Sequence, residues 1–410
     1  AAANAAECRK KGYTFDIADQ ETGETPLHIA ARTSDDPFLF DTLAVLLPPG
    51  LREELIAVPD RTGYLPMHEA THAGQSPHIV ARLARWGDVV NSRIEASRDY
   101  TLRQRGTTPL HLAVAREVTM PSDLSLVLAL LALGADPEAR DHDGATPYGL
   151  ATGAETEADL ALLLDRDAWR ADMDAFVAEM EAAEPRHACD GPLSAEFYRR
   201  AHPADIYRCA VGWIEPRSEP ESFWNLRTEA GRNALHLLIE TAPARPRIAA
   251  LLAAAERTGT LATALASENG EGHAPIHIAA AHASDPLVLT LLHRFGADLD
   301  RLADPTDNGL LGETTGTSAL HIAARREDGG HLVMVMALLA AGADPHVYDN
   351  NADKNPLEDT LGLQPIDYLA DRQAMSAIAL IAPKFSLCEV AEENADAALA
   401  LAGLGAGTSA

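Results

Sequence analysis

A string of the form Thr-Pro-Leu-His-x-Ala recurs along the chain and constrains its architecture more than any other feature. It reads TPLHIAA from Thr25, LPMHEAT from Leu65, TPLHLAV from Thr108, NALHLLI from Asn233, APIHIAA from Ala274 and SALHIAA from Ser318. Weaker copies are TPYGLA from Thr146 and QPIDYLA from Gln364. Thr108 is a natural N-cap and Pro109 sits at the first helical position, where a missing N–H costs nothing, so the string opens a short helix. A second helix follows, with Leu124, Val127, Leu128 and Leu131 at helical spacing, and Gly134 closes it. Asp143-Gly144 then turns the chain into the next capped start at Thr146-Pro147. Such a helix pair cannot bury its apolar faces alone. It needs copies of itself on both sides, so the chain folds as a stack of repeats.

The recurring string is accompanied by Gly-Ala-Asp after the second helix, at Gly134-Ala135-Asp136, Gly296-Ala297-Asp298 and Gly342-Ala343-Asp344, and by Asp-x-x-Gly in the turn. Together these resemble the ankyrin repeat family, in a bacterial type with long, divergent units. The resemblance implies an all-α fold: an α-solenoid of stacked helix-turn-helix repeats with hairpin fingers along one edge and a concave binding face. His28, His68, His111, His236, His277 and His321 occupy one slot of the motif. They are expected to bond the backbone of adjoining turns, because stacked helices lie about 8–10 Å apart, too far for neighbouring slots to share a metal ion. Successive histidines at 28, 68 and 111 are spaced more widely than the standard unit of about 33 residues, so extra residues must swell the fingers or the helix linkers.

A longer period lies beneath. His28, His68 and His111 are answered by His236, His277 and His321, and flanking detail agrees: VARLARWGD from Val80 answers LTLLHRFGAD from Leu289. The chain therefore reads as a tandem duplication: a first array over 1–187, four repeats ending in an amphipathic capping helix through Trp169, Met173 and Met180; a second array over 188–391, an N-terminal cap plus four repeats; and an Ala/Gly/Leu-rich tail over 392–410.

Three patterns suggest chemistry, and each has a plainer structural reading. His68-Glu69-Ala70-Thr71-His72 fits the H-E-x-x-H zinc pattern, with His78 near the place of a third ligand, but His68 is a repeat-slot histidine on a two-turn helix. Asp349 to Asp353 alternates oxygen ligands like a calcium loop, yet Lys354 stands where the tight-turn glycine belongs. Cys189 and Cys209 flank the cap helix of the second array, close enough to bridge if the helix folds back, and the plainer reading is that Cys8, Cys189, Cys209 and Cys388 are four small buried thiols. No G-x-S-x-G nucleophile motif is present. No catalytic residue, metal or cofactor is expected.

A formal charge of -28 disfavours nucleic acid and anionic membranes, and no apolar run is long enough to span a bilayer. Aromatic residues are only 5%, so the core must be built from Leu, Ala, Ile and Val. The start AAANAAE, lacking methionine, is what signal cleavage behind small residues leaves, so a periplasmic or secreted location is expected, with the cytoplasm as alternative. The expected function is a non-enzymatic protein-protein interaction scaffold, contacting its partner through Arg61, Tyr64, Arg103, Arg105, His142, Trp224 and Arg232 on the turns. The alternatives are a structural subunit of a cell-envelope assembly and an H-E-x-x-H hydrolase.

Overall fold

The computed structural model describes residues 18–33, 49–95, 105–120, 124–189, 191–241, 244–303, 316–326 and 331–349. Among the described residues every regular element is a helix and no strand is present. They divide into two compact units, one running to Thr152 and one beginning at Gly153.

The first unit has two rows of helices. In the first-helix row, α1 (Pro26–Thr33) packs on α3 (Pro66–Ala73), α3 on α5 (Pro109–Thr119), and α5 on a 3₁₀ turn at Tyr148–Ala151. In the second-helix row, α4 (Pro77–Trp86) packs on α6 (Ser125–Ala132), and α2 (Pro49–Ile56), which lies before the next finger, also packs on α4. Proline at the first turn starts α3, α4 and α5, while Gly74, in the left-handed region at φ 72°, ends α3. The rows close over Met67, Ile79, Val80, Leu83, Leu110 and Leu128, all fully buried. Each such side chain contributes about 2 kcal/mol relative to an exposed one.

The second unit opens with α7 (Glu157–Leu164) and α8 (Arg166–Ala182). Its first-helix row is α9 (Ala195–Arg200), α11 (Ala234–Thr241), α14 (Pro275–His282) and α16 (Ala319–Ala324). Its second-helix row is α10 (Pro203–Ile214), α12 (Arg245–Arg257), α15 (Leu287–Arg294) and α17 (His331–Ala340). A short helix, α13 (Leu261–Ala266), precedes the finger before α14, as α2 precedes the finger before α3. These two helices take up the residues by which the units exceed the standard length.

The duplication places α8 as the C-terminal cap of the first array, with a boundary at 187/188. Packing assigns it elsewhere. The packing division falls at Thr152/Gly153, and α7 and α8 lie on the second-helix row of the second unit, α7 against α15 and α8 against α10. The reason is the apolar stripe on α8. Trp169 meets Phe295 edge-on with ring centroids 5.5 Å apart, and Met173 and Met180, farther along the same helix, are also buried. The Arg294 guanidinium donates to the Leu162 and Leu163 carbonyls at 2.9 and 3.0 Å, satisfying the open C-terminal end of α7.

The segment after α8 is pinned to α10 at two positions one helical turn apart. Asp205 accepts from the Arg186 backbone N–H, His187 Nδ1 and Arg208, and Cys209 forms a disulfide with Cys189, Cα–Cα 5.6 Å. Cys8, Arg103, Cys388, the acidic stretch after Asp349, the repeat from Gln364 and the tail from Glu392 lie outside the described residues.

Candidate interaction surface

The fingers are turns, each organised by one side chain. Asp60 Oδ1 accepts from the N–H groups of Thr62 and Tyr64, Asp141 Oδ1 from Asp143 and Ala145, and Asn269 Oδ1 from Glu271 and His273, at 2.8–2.9 Å. This is the Asx turn that the Asp-x-x-Gly signature encodes. Neighbouring fingers are also tied: the Arg61 N–H donates to the Thr22 carbonyl at 2.9 Å and the His142 N–H to the Arg105 carbonyl at 3.0 Å.

The slot histidines join one repeat to the next. Nδ1 of His28, His68, His111 and His277 accepts the N–H of the cap residue three positions earlier, at 3.0–3.2 Å. That fixes the proton on Nε2, which donates to a carbonyl of the following finger: Tyr64, Ser92, Ala145 and Arg301, respectively, at 2.8–3.2 Å. His236 Nε2 makes the same bond to the His273 carbonyl at 2.8 Å. All these histidines are fully buried. Burial lowers the pKa of His28 and His111, and lowers it to about 4 for His68 and His236 and about 3 for His277, so the rings are neutral.

Further ties come from residues that the sequence motif does not mark. Asn91 accepts the Asp136 N–H at 2.8 Å and donates to the Gly134 carbonyl, while Asp300 accepts the Asp344 N–H at 2.8 Å. Asn91 and Asp300 correspond in the two halves, so the Gly-Ala-Asp strings at 134–136 and 342–344 are each held from the preceding repeat. Their shared position in the duplication is the signal that could have found them.

Of the expected contact residues, Arg61, Arg105 and His142 are exposed on fingers, Arg61 also reaching the Gln20 carbonyl. Two others are corrections. Trp224 is fully buried, its Nε1–H donating to Thr260 Oγ1 at 2.9 Å, and Tyr64 is buried in a small cluster with Ile94 and Leu112. Both are large rings that complete the packing beneath a finger in a chain poor in aromatics. Arg232 is half-buried and paired with Glu240.

Both ring nitrogens of His68 are engaged with the backbone, which leaves none for a metal, while His72 is exposed and edge-on to Tyr64. His78 is half-buried on α4. Glu69 instead belongs to an acidic group with Glu24 and Asp60, whose oxygens lie within 4.8 Å of one another. Arg32 enters this group, pairing with Glu24 and standing 3.7 Å from Glu69. Burial raises the Glu69 pKa to about 7, with Arg32 opposing.

Stacked helix pairs, turn fingers and a histidine ladder from repeat to repeat define an α-solenoid of the helical-repeat class. The ankyrin repeat family model matches residues 105–142 and 315–350, so the chain carries ankyrin repeats at these two places. Ankyrin repeats are in general protein-protein interaction modules, typically without enzymatic activity. No curated protein matches the chain.

Proposed function

We propose that the protein is a non-enzymatic scaffold that docks a protein partner along the fingers of its first unit. The observation that carries this reading is the linkage of exposed charge to fixed backbone. Arg61, Arg105 and His142 stand on fingers whose main chains bond one another and whose roots are held by neutral, buried histidines. Side chains on such a frame lose little freedom on binding, so contact energy is not offset by ordering. The guanidiniums of Arg61 and Arg105 are exposed among the carboxylates of Asp19, Glu21 and Asp143, so the fingers offer a partner charges of both signs at fixed positions. The Cys189–Cys209 disulfide supports an oxidising compartment, periplasmic or extracellular.

The test is affinity purification from the native host with wild type and with an Arg61→Glu/Arg105→Glu variant, followed by titration of the purified partner. Loss of at least about tenfold in affinity is expected for two reversed charges at an interface. Unchanged affinity would remove the finger face from consideration.

A further inference from the structure

Two fingers of the second unit, at 228–231 and 269–272, meet at their glycines: a Cβ on Gly231 would stand 2.6 Å from the Gly270 Cα, so the two backbones touch. Between them and α13 opens a cleft of about 720 Å³, walled by Asn225, Arg227, Ala262, Thr263, Ala266 and Asn269. The duplication gives this wall a counterpart. At the offset that separates His68 from His277, Ala262, Thr263 and Asn269 correspond to Glu53, Glu54 and Asp60; at the offset between His28 and His236, Arg227 corresponds to Asp19. The buried positions beneath agree, Ala264 and Leu265 standing for Leu55 and Ile56. Where the first unit has four carboxylates, the second has three neutral side chains and a guanidinium. In a chain of net charge -28, this wall has been cleared of acid.

Two groups in the wall lack the partner that their chemistry calls for. Arg227 donates to the carbonyls of Trp224, Leu226 (3.1 Å) and Glu268 (2.8 Å), which engages three of its five N–H groups. No carboxylate pairs with it among the described residues, and burial lowers its pKa with no acid opposing. Its neighbours differ. Arg232 pairs with Glu240, and Arg301 pairs with Glu268, whose carboxylate is the only one among the residues lining the cleft. Asn269 is buried, 7% exposed, with Oδ1 held by the N–H groups of Glu271 and His273, and its Nδ2 has no acceptor. A half-buried guanidinium and a buried carboxamide donor, with the Thr263 hydroxyl in the same wall, call for an acceptor that carries one negative charge. A carboxylate is that acceptor, and a guanidinium fork matches its two oxygens. A phosphate group, with nearly two charges, would leave one cation outmatched.

We propose that this cleft of the second unit is a carboxylate-binding site, in which Arg227 and Asn269 receive an acidic side chain or the C-terminal carboxylate of a protein partner. The guanidinium supplies the charge and the carboxamide the direction. Both side chains are already held by the finger backbones, so little freedom is lost on binding. Glu53 and Glu54 bar the corresponding position of the first unit to such a ligand by repulsion. The proposal rests on the reading of the chain as an interaction module, but its site is on the other unit. It therefore stands or falls separately from the contact through Arg61 and Arg105.

The probes are two short acetylated peptides titrated into the isotope-labelled full-length chain, with the amide resonances of Gly231 and Gly270 as the readout. One has a central glutamate and an amidated C-terminus; the other is all alanine with a free C-terminus. A peptide with glutamine in place of the glutamate is the control. Saturable shifts are expected with at least one carboxylate peptide and not with the control, and the tighter of the two tells side chain from terminus. Ala262→Glu/Thr263→Glu restores the first unit's acids at two wall positions that are not buried. It is expected to weaken binding at least about tenfold with the circular dichroism melt unchanged. Arg227→Gln is expected to weaken it as much, and Arg227→Lys by less. No saturable shift with either carboxylate peptide, equal shifts with the control, or unchanged affinity in the Ala262→Glu/Thr263→Glu variant would each overturn the proposal. So would saturation by inorganic phosphate alone, which would assign the cleft to phosphate groups.

Discussion

Lowering the pH should loosen the repeat stack through its histidines, and His277 is the place to measure it. The ring accepts from the Ala274 N–H at 3.0 Å and donates to the Arg301 carbonyl at 2.8 Å, an arrangement that only the neutral imidazole can make. Burial, then the nearby His273, Arg301 and His236, keep its pKa at about 3, far below the 6.5 of an unfolded chain. A folded-state pKa depressed in a base means that the unfolded chain binds the proton first as pH falls. The stability that neutral His277 confers is therefore present above pH 6.5 and is lost steadily toward the folded value. Between pH 7 and pH 5 the loss is about 2 kcal/mol for this one ring. His236, at about 4, adds a similar amount in the same unit. Protonating carboxylates relieves the excess negative charge over the same range, so the raw pH profile mixes opposing effects. Comparison with His277→Gln isolates the ring. Glutamine's acceptor oxygen stands one bond farther from Cβ than Nδ1, so the amide loses the close bond to the Ala274 N–H, and the variant is expected to be less stable at pH 7 by about 2–3 kcal/mol. Its loss between pH 7 and 5 should be smaller than that of wild type by about 2 kcal/mol. Urea denaturation by circular dichroism at the two pH values gives both differences. Parallel pH profiles for wild type and variant would show that the ring does not carry the dependence.

Two other perturbations act elsewhere. Reducing the Cys189–Cys209 disulfide, or replacing both cysteines with serine, opens a loop of 20 residues and should cost about 3 kcal/mol, read as a lower urea midpoint; an unchanged midpoint would argue against the bridge. Glu69→Gln should raise stability at pH 8. A carboxyl whose folded pKa is raised to about 7 contributes stability below pH 4.5 that is lost as pH rises through 7, and the amide removes that loss. Arg32 offsets part of it, so a gain of about 1–2 kcal/mol is expected, and a destabilised Glu69→Gln would mean that the ion pair dominates.

The elements legible in the sequence were those fixed by local rules. Thr108-Pro109 announces a helix start, Gly134 its end and Asp141-x-x-Gly144 the turn, because capping, left-handed backbone and side-chain turn bonds each involve residues within a few positions. The role of the slot histidines followed from one geometric limit, the spacing of stacked helices. Long-range partners were not legible. Nothing near Trp224 in the sequence points to Thr260, nor near Tyr64 to Leu112, so both rings looked like surface anchors when they are buried. Arg32, Glu24, Asp60 and Glu69 come from two repeats and meet only once the fingers stack.

The same limit explains α8. Its stripe of Trp169, Met173 and Met180 announces a helix with one face to bury, and position after the fourth string suggested the first array as its partner. Which surface receives such a helix depends on complementarity that periodicity does not encode: a T-shaped ring contact at Phe295, carbonyls left open at the end of α7 and an arginine at 294 placed to reach them. Arg85 and Trp86 conserve the chemistry of that pair between the halves, while Leu291 and Arg82 do not. Duplicated arrays keep their ladders because every repeat needs them, whereas a covered row needs only one match to one occupant.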